Sequence, residues 1–262
     1  MRARAMAPVG MAAPVLTGLG VAVCAWEARR ARAEDCPFVE ALPGTGAIGR
    51  GLRGDVLRVT WLGDSLAAGL GCEHVDDTPA RLSARLLERP VEVRMLAVPG
   101  ARTIDVLEHQ LPLVTGPVDL VVLCVGANDV ASPTSRATYA RRVDEILRRL
   151  APTPVVMLTL PDMSMPDRMA EPLRSVAGAR ARWFEAARAR VAAHHPHVTS
   201  VDIASRPDGL TRKAGRALLC ADRFHPGPSG YRLWAERIAT AVDGLLSSAD
   251  PVPQPGPARQ IA

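Results

Sequence analysis

The sequence predicts an α/β domain built on a parallel sheet with helices on both faces. Apolar, β-branched runs alternate with helical patterns from about residue 56 to residue 246, and that alternation implies right-handed βαβ crossovers. Hydrophobic content of 48% and charged content of 23% are those of a globular chain able to bury a core. Aromatic residues make up only 3%, so Leu, Val, Ala and Ile have to build that core.

The elements follow in order. Met6 to Trp26 is apolar or small, with Arg2 and Arg4 ahead of it. Its length, about 21 residues, can span a bilayer. Ala31-Arg32-Ala33 resembles a small-x-small cleavage site, but Glu27, Arg29 and Arg30 stand before it, so an uncleaved anchor with the domain outside is favoured over a secretory signal. The arginines on the far side do not support that orientation. A buried helix of the soluble fold is the third reading, and Pro8, Pro14, Gly10, Gly18 and Gly20 weaken it. Residues 1–33 are thus set apart, and the Gly- and Pro-rich stretch 34–54 reads as a linker. The folded domain spans 55–248. Its strands are expected at Val56–Leu62, Val91–Val98, Val118–Val125, Val155–Leu160 and Val198–Ile203. Its helices are expected at Pro79–Leu87, Thr103–Leu111, Ser135–Leu150, Ala177–Ala193 and Ser229–Leu246. The Pro-rich end, 249–262, is expected to be disordered.

Charge and cysteine usage exclude several function classes. The net charge is +5, and Lys213 is the only lysine. The arginines lie mostly in helical stretches among acids, as in Arg141-Arg142, Asp144-Glu145 and Arg148-Arg149, which reads as a solvated helix face. No motif for reading nucleic acid accompanies them. None of the five cysteines forms a CxxC pair, which argues against a zinc or thioredoxin-like site. Cys124 lies in an apolar run and reads as core. Cys36, Cys72 and Cys220 offer one disulfide if the protein is exported. His194-His195-Pro196-His197 reads as a solvated turn at a helix end rather than a metal site. Gly69-Leu70-Gly71 lacks the third glycine of a dinucleotide fingerprint, and no Walker-type motif occurs.

The chemistry gathers where strands end. The first closes in Gly63-Asp64-Ser65-Leu66, the second in Val98-Pro99-Gly100-Ala101, the third in Gly126-Ala127-Asn128-Asp129. In a parallel sheet these C-terminal ends share one edge, where ligands bind. Asp222-Arg223-Phe224-His225 follows far downstream, with its acid and imidazole close enough to bond. Acyl transfer needs this set of parts. A serine hydroxyl needs an adjacent base, and the base needs an orienting carboxylate. The oxyanion needs fixed donors, each worth roughly 3 kcal/mol. Ser65, His225 and Asp222 supply the first three roles. The N–H groups of Ser65 and Gly100 and the Asn128 amide supply the donors, with Gly100 suited to close backbone approach. Each residue has a plainer reading: Ser65 as a helix cap, Asn128 and Asp129 as a turn pair, His225 as a surface loop residue. Asp64 and Asp129 are assigned structural work.

Those four blocks resemble the SGNH (GDSL-type) hydrolase superfamily, in the family's order and over roughly Val56 to Leu246. The resemblance implies a flavodoxin-like α/β/α sandwich with five central parallel strands. It also implies Ser65, Asp222 and His225 as the triad, an oxyanion hole of Ser65, Gly100 and Asn128, and neither metal nor organic cofactor. Two positions depart from the family's habit. Arg223 stands where glycine often follows the triad aspartate, and Val98-Pro99 precedes Gly100 where Ser or Asn is frequent. The Gly-x-Ser-x-Gly elbow of α/β-hydrolases is absent, since Ala67 replaces its final glycine.

The activity expected is hydrolysis of carboxylic acyl esters, lipid-like or short-chain, with thioesters included. Met163, Met165 and Met169 border the active edge and suit either an adaptable acyl pocket or the core. The competing readings are deacetylation of O-acetylated envelope carbohydrates and a non-catalytic binding module on the same fold. The expected partners are a small or lipid-like ester and, through the N-terminal segment, a membrane; nucleic acid is not among them.

Overall fold

The structure, a computed structural model, describes residues 44–205 and 215–248. Its strands are β1 (Gly46–Ile48), β2 (Leu57–Gly63), β3 (Val91–Met95), β4 (Leu120–Cys124), β5 (Val155–Leu158) and β6 (Val198–Val201). They form one sheet in the order β1-β3-β2-β4-β5-β6, parallel throughout except for the β1–β3 pair. From β2 onward the order is that of a flavodoxin-like sheet, which switches direction between β2 and β4. The helices are α1 (Pro79–Leu86), α2 (Thr103–Asp105), α3 (Ala127–Val130), α4 (Arg136–Leu150), α5 (Leu173–Ala192) and α6 (Pro228–Ser248).

Side-chain alternation along the strands divides the core into two layers. Val59 and Trp61 of β2 and Leu120, Val122 and Cys124 of β4 face α1 and α6, meeting Ala80, Ala84, Tyr231, Trp234 and Ile238. Leu62, Val121 and Leu123 face the other way, onto Tyr139, Val143 and Ile146 of α4 and Phe184 of α5. All five residues of β4 are buried, as expected of a central strand covered on both sides. The helices start where local chemistry allows. Pro79 opens α1, where its missing N–H is harmless. The Thr138 N–H donates to the Ser135 hydroxyl at the start of α4, 3.1 Å away.

Three details differ from the sequence reading. Gly46–Ile48, inside the stretch read as linker, forms the antiparallel edge strand β1 on β3; three residues are too few to display alternation. The helix expected over Thr103–Leu111 is α-helical only for its first turn. It then widens into a π turn over Val106–Gln110 and ends in a 3-10 turn over Leu111–Leu113 that contains Pro112. Cys72 and Cys220 are not joined to each other: the Cys72 thiol donates to the Asp77 carbonyl and the Cys220 thiol to Asp222 Oδ1. Cys36 lies outside the described residues, as do the segment Met6–Trp26 and the C-terminal stretch 249–262. Among the described residues no helix is long and apolar enough to cross a membrane.

The ends of β2 and β4 touch at Gly63. A Cβ there would lie 1.8 Å from the Cys124 carbonyl oxygen, and the residue has φ +138. Neither strand can yield, because both are central in the sheet. Gly63→Ala is therefore expected to lose more than about 4 kcal/mol, read by urea unfolding. A loss below about 1 kcal/mol would mean that the contact can relax.

Candidate active site

Gly63 ends β2 in a web of backbone and side-chain bonds. Its carbonyl accepts from the Val98 N–H, 3.1 Å away, and the next residue's N–H, that of Asp64, donates to the Cys124 carbonyl at 3.0 Å. The buried Gln110 side chain completes it. Gln110 Oε1 accepts from the Gly63 N–H at 2.8 Å, and Gln110 Nε2 donates to the Gly63 carbonyl at 2.7 Å. A side-chain amide thus imitates a neighbouring strand at the last residue before the acid and the serine. Sequence reasoning missed Gln110, because its placement depends on the π turn, a widening associated with functional sites.

Ser65 is brought to His225 across the fold: Ser65 Oγ lies 3.0 Å from His225 Nε2. The Ser65 loop reaches that position through Gly71, where an added Cβ would sit 2.2 Å from the Pro226 carbonyl oxygen. Tyr231 of α6 donates its hydroxyl to the Leu70 carbonyl at 2.7 Å and pins the same loop. The glycine pair Gly69 and Gly71, which carries no nucleotide motif, serves loop packing.

Asp222 holds the far side of the imidazole, with Oδ2 2.5 Å from His225 Nδ1. Its other oxygen accepts from the Phe224 N–H at 2.7 Å, the His225 N–H at 2.8 Å and the Cys220 thiol at 3.0 Å. Burial pushes this carboxyl up, but the bonds from His225 and Cys220 outweigh it and hold Asp222 well below the usual carboxylate range. An ionised Asp222 can only accept, so Nδ1 carries the proton and Nε2 is left to accept from the Ser65 hydroxyl. The tight turn 220–225 that makes this possible puts Arg223 at φ +58. Glycine adopts that conformation freely, whereas an arginine does so at a cost.

Gly100 and Asn128 line the same cavity as Ser65 and His225. The N–H groups of Ser65 and Gly100 donate to no acceptor among the described residues. Asn128 spends one N–H on the Ala101 carbonyl at 3.1 Å and keeps the other. The reason for a glycine at 100 is conformational: φ is +82, and an added Cβ would meet nothing within 4 Å.

The two remaining acids are buried beneath. Asp129 accepts from the Thr103 N–H and hydroxyl, both at 2.8 Å, and so ties the second block to the third. Asp64 Oδ1 accepts from the Leu66 N–H at 3.0 Å, while Oδ2 is buried without a hydrogen-bond partner. Burial, opposed by the Leu66 bond and reinforced by the nearby Asp129 charge, raises Asp64 to about 7.

The cavity above these residues has a volume of about 310 Å³ and apolar walls, among them Leu70, Met163, Met165, Ile203, Leu218 and Trp234. Such size and lining fit an apolar small ligand. Met163 and Met165 thus border the cavity, whereas Met169 packs in the core cluster of α4 and α5. The histidines 194, 195 and 197 bond to Arg190, Asp144 and Leu147 at the helix ends. Among the described residues no group of three or more His, Cys, Asp or Glu is placed to hold a metal ion.

Comparison with known proteins gives one family. The model of the GDSL-like lipase/acylhydrolase family matches residues 61–233. A GDSL-like esterase of Mycobacterium tuberculosis is 27% identical over 206 residues, which cover 73% of this chain and 63% of that protein, so the chain spans less than two thirds of that relative's length. Among solved structures, the lipase/acylhydrolase from Enterococcus faecalis superposes with a TM-score of 0.56 at 20% identity, covering 72% of this chain and 96% of that one. The acetyl xylan esterase Axe2 from Geobacillus stearothermophilus gives 0.53 at 16%, covering 71% and 94%. At these identities the structures show the fold alone.

Asp64 supplies a pH prediction. Its folded pKa, about 7, lies above the ordinary value of 3.8, so between those values the folded state holds a proton that the unfolded state has released. Stability from this group therefore falls as pH rises through that window. Asp64→Asn keeps the acceptor for Leu66 without the charge. Its melting temperature relative to the parent should climb between pH 5 and pH 8; a difference independent of pH would contradict the assignment.

Proposed function

The chain belongs to the GDSL-like lipase/acylhydrolase family, and we propose that it hydrolyses apolar carboxylic acyl esters through an acyl-serine intermediate on Ser65. The observation that carries this reading is the Ser65–His225–Asp222 relay at the wall of an apolar cavity. Ser65 Oγ attacks the ester carbonyl carbon while His225 Nε2 takes the hydroxyl proton. Asp222 holds the ring in the tautomer that can do so and stabilises the imidazolium. The carbonyl oxygen, now an oxyanion, accepts from the N–H groups of Ser65 and Gly100 and from Asn128 Nδ2. Collapse breaks the bond to the alcohol oxygen, which leaves with the proton from His225. Water then attacks the acyl-serine, giving a proton to His225, which passes it to Ser65 Oγ as the bond to the acyl carbon breaks and the carboxylic acid is released.

The cavity walls favour a lipid-like or short-chain acyl group over the acetyl group of a carbohydrate. Leu70, Met163, Ile203, Leu218 and Trp234 offer little to a sugar's hydroxyls, whereas each buried methylene of an acyl chain contributes about 0.8 kcal/mol. Methionines adapt to chains of several lengths.

Two substitutions test the chemistry. Ser65→Ala removes the nucleophile and should reduce hydrolysis of p-nitrophenyl butyrate by about 10⁴-fold or more, with an unchanged far-ultraviolet circular dichroism spectrum. Asp222→Asn should lose roughly 10³- to 10⁴-fold by allowing the wrong tautomer. Retained turnover in Ser65→Ala would end the acyl-serine reading. A panel of butyryl esters against acetylated xylan decides the substrate class, with faster turnover of the glycan contradicting the apolar assignment.

A further inference from the structure

A second cavity, of about 490 Å³, adjoins the first at His225. It shares Asn128, Ala131, Met163, Phe224 and His225 with the first cavity, but it touches neither Ser65 nor Gly100. Its own walls are Val130, Met169 and the α5 face of Leu173, Val176 and Ala177, with the charged groups of Arg168, Arg180 and Asp222 at its edges. Phe224, whose ring meets the His225 ring edge-on at a centroid distance of 5.1 Å, stands with Met163 between the two spaces.

The opening is held in shape. The Arg180 guanidinium on α5 donates to the carbonyls of Val130, Ser132 and Thr134, at 2.7, 3.0 and 2.6 Å. It thereby ties α5 to the segment that follows Asn128. Val176 on the rim is half exposed.

We infer that this second cavity takes the hydrocarbon part of the leaving alcohol, so that the substrates are esters apolar on both sides of the scissile bond. The inference rests on the proposed acyl-serine reading. In that reading the acyl carbon must sit at Ser65, beside its own N–H and that of Gly100, which the first of these two cavities touches and the second does not. The alcohol oxygen must reach His225 Nε2 to leave with its proton. A space that contacts the histidine but not the serine is where the rest of the alcohol can extend. Its walls are chiefly aliphatic, so a hydrocarbon gains there and a sugar does not.

The test varies the two halves of the ester separately. With the acyl group fixed as butyryl, kcat/KM for the parent should rise by up to about fourfold per methylene of the alcohol, from ethyl towards decyl. Ala177→Phe, which fills the cavity from α5, should lower the decyl-to-ethyl ratio about tenfold. The decanoyl-to-butyryl ratio measured with one common alcohol should stay within twofold of the parent value. Val176→Gln, at the half-exposed rim, should move the alcohol ratio in the same direction without burdening the fold. If the acyl ratio falls instead, the cavity holds the acyl chain and the assignment is overturned; it is equally overturned if neither ratio moves in Val176→Gln. Turnover that survives Ser65→Ala would instead defeat the nucleophile reading, so the two failures are distinguishable.

Discussion

The close approach of β2 and β4 at Gly63 and Cys124 is the constraint on which the rest of the site depends. No side chain fits between Gly63 and the Cys124 carbonyl, so the chain leaves β2 at a fixed point and in a fixed direction. Asp64 bonds across to β4 through its N–H, Val98 bonds from the end of β3, and Gln110 closes both backbone groups of Gly63. Three parallel strands are thereby tied at their C-terminal ends, and these are the strands whose following loops carry Ser65, Gly100 and Asn128. A serine two residues beyond such an anchor has little freedom left to lose when a substrate arrives, which is what preorganisation requires.

The site also shows how environment separates acids of similar chemistry. Asp222 receives three bonds on one oxygen and the histidine on the other, and it stays ionised despite burial. Asp129, buried with two bonds from Thr103 and Arg142 at 3.9 Å, is raised. Asp64, with one bond and an unpartnered oxygen, is raised to about 7. Burial dominates at Asp64 and Asp129, whereas at Asp222 the bonds from His225 and Cys220 outweigh it. The acid adjacent in sequence to Ser65 is thus poorly suited to steady an imidazolium, while the distant Asp222 is well suited.

Much of this was legible in the sequence because it depends on local patterns. The five parallel strands and the helices between them follow from apolar periodicity, and the meeting of Ser65, Gly100 and Asn128 at one edge follows from parallel topology. The His225–Asp222 pairing follows from a short turn. What the sequence concealed depends on backbone geometry and on contacts between distant segments. Gln110 looks like any polar residue at a helix end until the π turn places it against Gly63. Gly71 shows its purpose only when Pro226 is beside it, and the strain at Arg223 only when the turn is built. Cavities are hidden for the same reason: Phe224 lies between two spaces whose walls come from segments far apart in the chain.

The central claim is that Ser65 is the group that becomes acylated. Treating the protein with a fluorophosphonate and locating the adduct by peptide mass spectrometry tests it most directly. One phosphonyl group per chain is expected, on the peptide containing Ser65. An adduct on another serine, or none on a protein that hydrolyses esters, would contradict it.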